Sequence, residues 1–144
     1  MTTQAPTASI LSSESQATRE TIVELLTRAY WMEIETVMNY VAGSVNPDGV
    51  RAKEITQSLA VDVQEELAHA QLFANRIKEL YGVVPGSLAF APEQTALQPP
   101  ARQTDVVHVI KVVIEAETGA LEHYNRIIEA TDGVDYVTQD MVIT

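Results

Sequence analysis

The sequence predicts an all-α protein: a four-helix bundle with a long crossover between its second and third helices and a fourth helix truncated in this chain. Three observations carry that expectation. Apolar residues recur at helical spacing over three long segments. A glycine follows each of them, at Gly43, Gly82 and Gly133, which is the usual signal for a helix stop. Residues 82–102 carry repeated glycine and proline and no sustained period. A connection of that length needs a topological reason. A crossover along the bundle edge, which lets the second and third helices run parallel, supplies one.

Residues 1–14 are rich in Ser, Thr, Ala and Gln. They hold too little apolar surface to offset the entropy of ordering them, so they are expected to be a flexible tail ahead of a helical domain over 15–144. The first helix is expected over 15–42, with Ile22, Leu25, Leu26, Ala29, Val37, Tyr40 and Val41 as its apolar positions. Asn46-Pro47-Asp48-Gly49 makes the turn, and the second helix follows through Ile55, Leu59, Val63, Ala70, Phe73, Ile77 and Leu80. The third opens near Gln103 or Thr104, and its apolar stripe is Val106, Val107, Ile110, Val113, Ile114, Leu121, Tyr124 and Ile128. Asp135 then caps a fourth helix that begins Tyr136-Val137-Thr138, two to three turns before the last residue, Thr144.

Composition narrows the function. At 144 residues and 46% hydrophobic content the chain forms about one domain with a substantial core. It has no cysteine, which removes zinc ribbons, thiol catalysis and disulfide scaffolds. A formal charge of −11 opposes nonspecific nucleic-acid binding, which depends on neutralising phosphates, and favours cations as partners. No apolar run spans a membrane, and the N-terminus lacks the basic and apolar regions of a signal peptide. The expectation is a soluble cytoplasmic protein with no nucleic-acid or membrane partner.

Each long apolar stripe is interrupted by glutamate near its middle: Glu33, Glu66 and Glu117. Burying a carboxylate costs several kcal/mol unless it is paired or metal-bound. Three at matching depth therefore point to a metal site inside the bundle. Glu66 opens an E-x-x-H motif, Glu66-Leu67-Ala68-His69, and residues three apart share a helix face, so His69 joins the set. Alone, such a motif is more often a solvated surface pair. Glutamate with imidazole and no thiolate suits iron or manganese, and zinc also fits. Glu33 with Tyr40 and Glu117 with Tyr124 form a weak internal repeat, a glutamate followed seven residues later by tyrosine. The tyrosine hydroxyls are expected to hydrogen-bond to the carboxylates. Glu35, Glu65, Glu115 and Glu122 are read as solvated, His108 and His123 as surface or interface residues, and Trp31 as packing at a subunit contact.

Glu33 with Tyr40, the Glu65-Glu66-Leu67-Ala68-His69-Ala70 run, the long crossover and Glu117 with Tyr124 resemble the ferritin-like superfamily. The nearest members are the bacterioferritin-like and rubrerythrin-like proteins, and the similarity covers roughly residues 18–144. The family holds a dinuclear iron site with two lone glutamates and two E-x-x-H motifs on its four helices. The resemblance implies that Glu33 and Glu117 are the lone carboxylates, Glu66 the bridging carboxylate and His69 the imidazole. Two departures matter. The second E-x-x-H would lie on the fourth helix beyond Thr144, so a longer chain or a second chain would complete the site. The methionine that binds haem in bacterioferritins, directly after the glutamate, is Leu67 here, so haem is not expected. The implied function is Fe(II) binding and oxidation in iron storage or detoxification, by a homo-oligomer, dimer or higher. The alternatives are a rubrerythrin-like peroxidase or oxidase, which the missing rubredoxin-type cysteines disfavour, and a non-catalytic helical assembly module with a partial metal site.

Overall fold

The computed structural model describes residues 8–144. Four α-helices account for most of them: α1 (Gln16–Val45), α2 (Ala52–Glu79), α3 (Val106–Thr131) and α4 (Tyr136–Ile143). Short 3₁₀ turns occur at Ser13–Ser15 and Ser87–Ala89. No described helix is long and apolar enough to cross a membrane.

The helix ends follow local chemistry. α2 closes with the Gly82 N–H donating to the Ile77 carbonyl at 2.9 Å. Asp105 and Asp135 cap α3 and α4, their carboxylates accepting from the His108 and Thr138 N–H groups, which satisfies donors the helices cannot. The first glycine marks a close approach rather than a stop, since α1 runs on to Val45. A Cβ on Gly43 would lie 2.7 Å from the Leu59 side chain.

α1 and α2 form the main antiparallel pair, α3 packs on α1 and α4, and α2 and α3 barely meet. Two apolar clusters fill the bundle. One joins Ile22, Leu26, Phe73, Ile77, Leu80 and Ile127; the other joins Tyr40, Leu59, Leu97, Val109 and Val112. The glutamate level lies between them. Arg76 anchors the start of α4: its guanidinium donates to Thr138 at 2.9 Å and to Asp135 and Glu79 at 2.8 Å each. Asp135 is buried, and the bidentate reach of arginine suits such a site.

Two expectations change. The helical domain begins before residue 15. Ile10 packs against the first cluster, and Arg19 holds the carbonyls of Ile10 and Ser12 at 3.1 and 2.9 Å. The tail reading for residues 1–7 lies outside the described residues. The face of α3 is also rotated from the one assigned. Val109, Val112, His123 and Ile127 are buried, while Val107, Ile110, Ile114 and Leu121 are exposed. α3 is apolar on more than one side, so periodicity alone selects no unique face.

Candidate metal centre

Glu33 sits midway along α1, surrounded by the Ile22, Leu26, Ala29 and Tyr40 positions of the same buried stripe. Glu66 and His69 occupy successive turns of α2 on the face toward α1. One ligand atom from each of Glu33, Glu66 and His69 falls within a mutual 4.8 Å. The His69 Nδ1 lies 3.4 Å from a Glu66 oxygen and 4.0 Å from Glu33 Oε2.

Glu33 Oε2 is sealed from solvent and meets no hydrogen-bond donor. Such an orphan is costly in a folded protein. Burial first, then the adjacent Glu66 carboxylate and the charge of Glu117, push the pKa of Glu33 up to about 10. Without a cation it holds a proton at neutral pH. The His69 side chain is 49% exposed, so the group opens to solvent on that side.

Glu117 departs from the expectation of a third buried carboxylate. It lies on the exposed side of α3, outside the three-residue group, because α2 and α3 are splayed and the groove between them is open. The Tyr40 hydroxyl donates to Glu117 Oε1 at 2.5 Å, so the tyrosine of one half of the repeat reaches the glutamate of the other. Burial and that bond raise the Tyr40 pKa. Tyr124 plays a different part, its ring packing on Phe73 at 5.7 Å.

Three further readings change around α1. Glu35 is buried, not solvated. Its carboxylate accepts the N–H of Glu93 at 2.9 and 3.1 Å and that of Gln94 at 3.1 Å, which pins the crossover to the helix. Trp31 serves the same crossover: it stacks on Phe90 at 4.8 Å and donates to the Ala91 carbonyl at 3.0 Å. His123 is buried, its Nε2–H donating to the Leu25 carbonyl at 2.9 Å. Burial, reinforced by Arg28 and Arg126, lowers its pKa, so it is a neutral strut between α3 and α1. Glu65, Glu115 and Glu122 are exposed as expected. None of the three corrected positions could be read from helix periodicity, because their partners come from the crossover or another helix.

An all-helical bundle with glutamates and an E-x-x-H imidazole at mid-depth defines a class, and comparison with known proteins agrees with it. The family described as ferritin-like domain matches residues 23–144; the chain belongs to the ferritin-like family. Among solved structures it is similar to a dodecameric thioferritin, the bacterioferritin-related protein of Bacteroides fragilis. The two share 26% identity and a TM-score of 0.75, with 92% of this chain and 83% of that one covered. No curated protein matches the sequence.

Proposed function

We propose that this ferritin-like protein takes up ferrous iron at Glu33, Glu66 and His69 and oxidises it for storage or detoxification. The observation that carries the reading is the Glu33 oxygen, buried beside a second carboxylate and an imidazole nitrogen with no fixed donor of the fold to satisfy it. A divalent cation answers that deficit and displaces the proton of Glu33. The half-exposed His69 stands at the solvent side, where an entering ion meets the site first. The donor set of carboxylate and imidazole fits iron or manganese, and zinc as well.

Glu117 extends the site toward a second ion. Tyr40 holds one of its oxygens and leaves the other available, so Glu117 can turn between the tyrosine and a metal. Two ferrous ions supply one electron each to reduce dioxygen, with two protons, to hydrogen peroxide. The remaining ligands come from an element that covers the α2–α3 groove, where Leu72, Leu121 and the end of α4 surround an opening of about 450 Å³. An apolar surface of this kind is normally covered, and a second copy of the chain fits the oligomeric precedent of the thioferritin. Light scattering across a concentration series tests that assembly, and a monomer at every concentration would sink it.

The placement of Glu117 outside the cluster supports a second reading, a helical assembly module with a partial, non-catalytic metal site. Stoichiometry separates the two. Anaerobic Fe(II) titration should saturate near two ions per chain in the assembled protein, with proton release, followed by oxygen consumption on aeration. One ion and no oxygen consumption would favour the partial site. Saturable binding that survives both Glu66→Ala and His69→Ala would discard the site assignment.

A further inference from the structure

The fold uses the two halves of the glutamate–tyrosine repeat unequally, and one hydroxyl is left over. On α1 and on α3 the tyrosine follows its glutamate by seven residues, Glu33 with Tyr40 and Glu117 with Tyr124. Leu25 meets His123 toward one end of the helix pair and Tyr40 meets Glu117 toward the other, so α1 and α3 run antiparallel. An antiparallel pair with equal spacings has a local twofold. The twofold that exchanges Tyr40 with Tyr124 also exchanges Glu117 with Glu33, and so carries the Tyr40–Glu117 hydrogen bond onto a Tyr124–Glu33 one. Side-chain direction agrees, because long side chains lean toward the N-terminus of their own helix. That lean brings Tyr40 to Glu117, and the same lean takes Tyr124 toward the level of Glu33.

The mirror bond is not made in this structure. Glu33 Oε2 has no partner, and the Tyr124 ring packs on Phe73 at 5.7 Å. The tyrosine is close at hand all the same. It lines the same opening as His69, whose Nδ1 stands 4.0 Å from Glu33 Oε2. The opening measures about 450 Å³, which gives the half-buried ring room to turn. A carboxylate that ligates a cation through one oxygen needs a donor on the other, and such outer donors hold the ligand in place. Glu117 already has one in Tyr40. Glu33 does not.

We propose that Tyr124 is a positioning residue for Glu33: with a divalent cation at the centre, its hydroxyl turns in from the groove and donates to the Glu33 oxygen left free. The two tyrosines then hold the two lone glutamates in the same way, each from the opposite helix. The proposal rests on the assignment of Glu33, Glu66 and His69 as ligands and is independent of the oxidation chemistry.

Zinc serves as the probe, since the donor set accepts it and it undergoes no redox change. A crystal structure of wild-type protein loaded with Zn(II) should place the Tyr124 hydroxyl within about 3 Å of a Glu33 oxygen. Tyr124→Phe keeps the ring on Phe73 and removes only the hydroxyl. Zn(II) affinity should then fall about tenfold or more, the usual cost of losing such an outer partner. The melting temperature in chelator should stay at the wild-type value, which a merely structural role would lower. Tyr136→Phe, at a tyrosine 67% exposed, should change neither quantity.

Zinc held by the three ligands with the Tyr124 hydroxyl still turned to the groove would overturn the proposal. So would an unchanged affinity in Tyr124→Phe, or a loss of metal-free stability that matches the loss of affinity and makes Tyr124 a packing residue. Failure of the underlying assignment looks different: wild-type protein would bind no zinc at Glu33, Glu66 and His69, and the role of Tyr124 would fall with it.

Discussion

Glu33 and Glu35 stand two residues apart on one helix and are buried to the same degree, 3% and 4% exposed, yet they do opposite things. Glu35 faces the crossover, and backbone N–H groups of Glu93 and Gln94 fill its oxygens. Glu33 faces the bundle interior, where its neighbours are a carboxylate, an imidazole and hydrocarbon, and one oxygen is left unfilled. Burial alone therefore does not mark a metal ligand. The discriminating feature is whether fixed donors already satisfy the charge. A carboxylate with its donors in place is a structural clasp, and one without them awaits a cation.

Exchanging the roles of these residues gives the largest expected effects. Glu33→Ala should weaken Fe(II) binding at least about a hundredfold, or ~2.7 kcal/mol, measured by anaerobic titration. Glu35→Ala should leave affinity within a few-fold. Comparable losses in the two variants would break the comparison.

Stability should show the converse. Removing the Glu35 carboxylate strands the two backbone donors it serves and frees the crossover, a loss of about 2–3 kcal/mol. The denaturant midpoint of metal-free protein reports it. Glu33→Leu removes an unsatisfied buried polar group and should stabilise the metal-free fold by about 1–2 kcal/mol. A destabilised Glu33→Leu would make Glu33 another structural group. Glu117 is unsuited to the same test, since its loss would leave the Tyr40 hydroxyl without its acceptor.

How much of this was legible in the sequence depends on where each partner comes from. The meeting of Glu33, Glu66 and His69 depends on periodicity within α1 and α2, and the Asp135 cap on a local residue signal at the start of α4; the sequence carries both openly. The role of Glu35 depends on a loop nearly sixty residues away. The path of that loop is set by Trp31 stacking on Phe90 and by Gln94 reaching Thr36 and Asn39, which no local pattern announces. Glu117 fails for a different reason. α3 carries apolar residues on two faces, one packed on α1 and one open to the groove, and its glutamate lies on the second. The charge pattern identified the residue but not which side of the bundle it would occupy.

The contrast read in the smallest steps, one pH unit at a time, is the pH dependence of stability. Glu33 holds its proton in the metal-free fold up to a pKa of about 10, against an ordinary value of 4.5. Between those limits the folded state binds more protons than the unfolded state, so stability falls as pH rises. The stabilising contribution is complete below about pH 4.5 and is lost on passing through the folded-state value. The slope from one such group is at most about 1.4 kcal/mol per pH unit. Glu33→Gln should flatten it, because glutamine does not titrate. Glu35→Gln should leave the slope in place while lowering stability at every pH, since its side chain keeps only one oxygen to offer the crossover. Urea midpoints in chelator across this range would resolve both lines. A slope that persists in Glu33→Gln would locate the titrating group elsewhere and remove the distinction between the two buried glutamates.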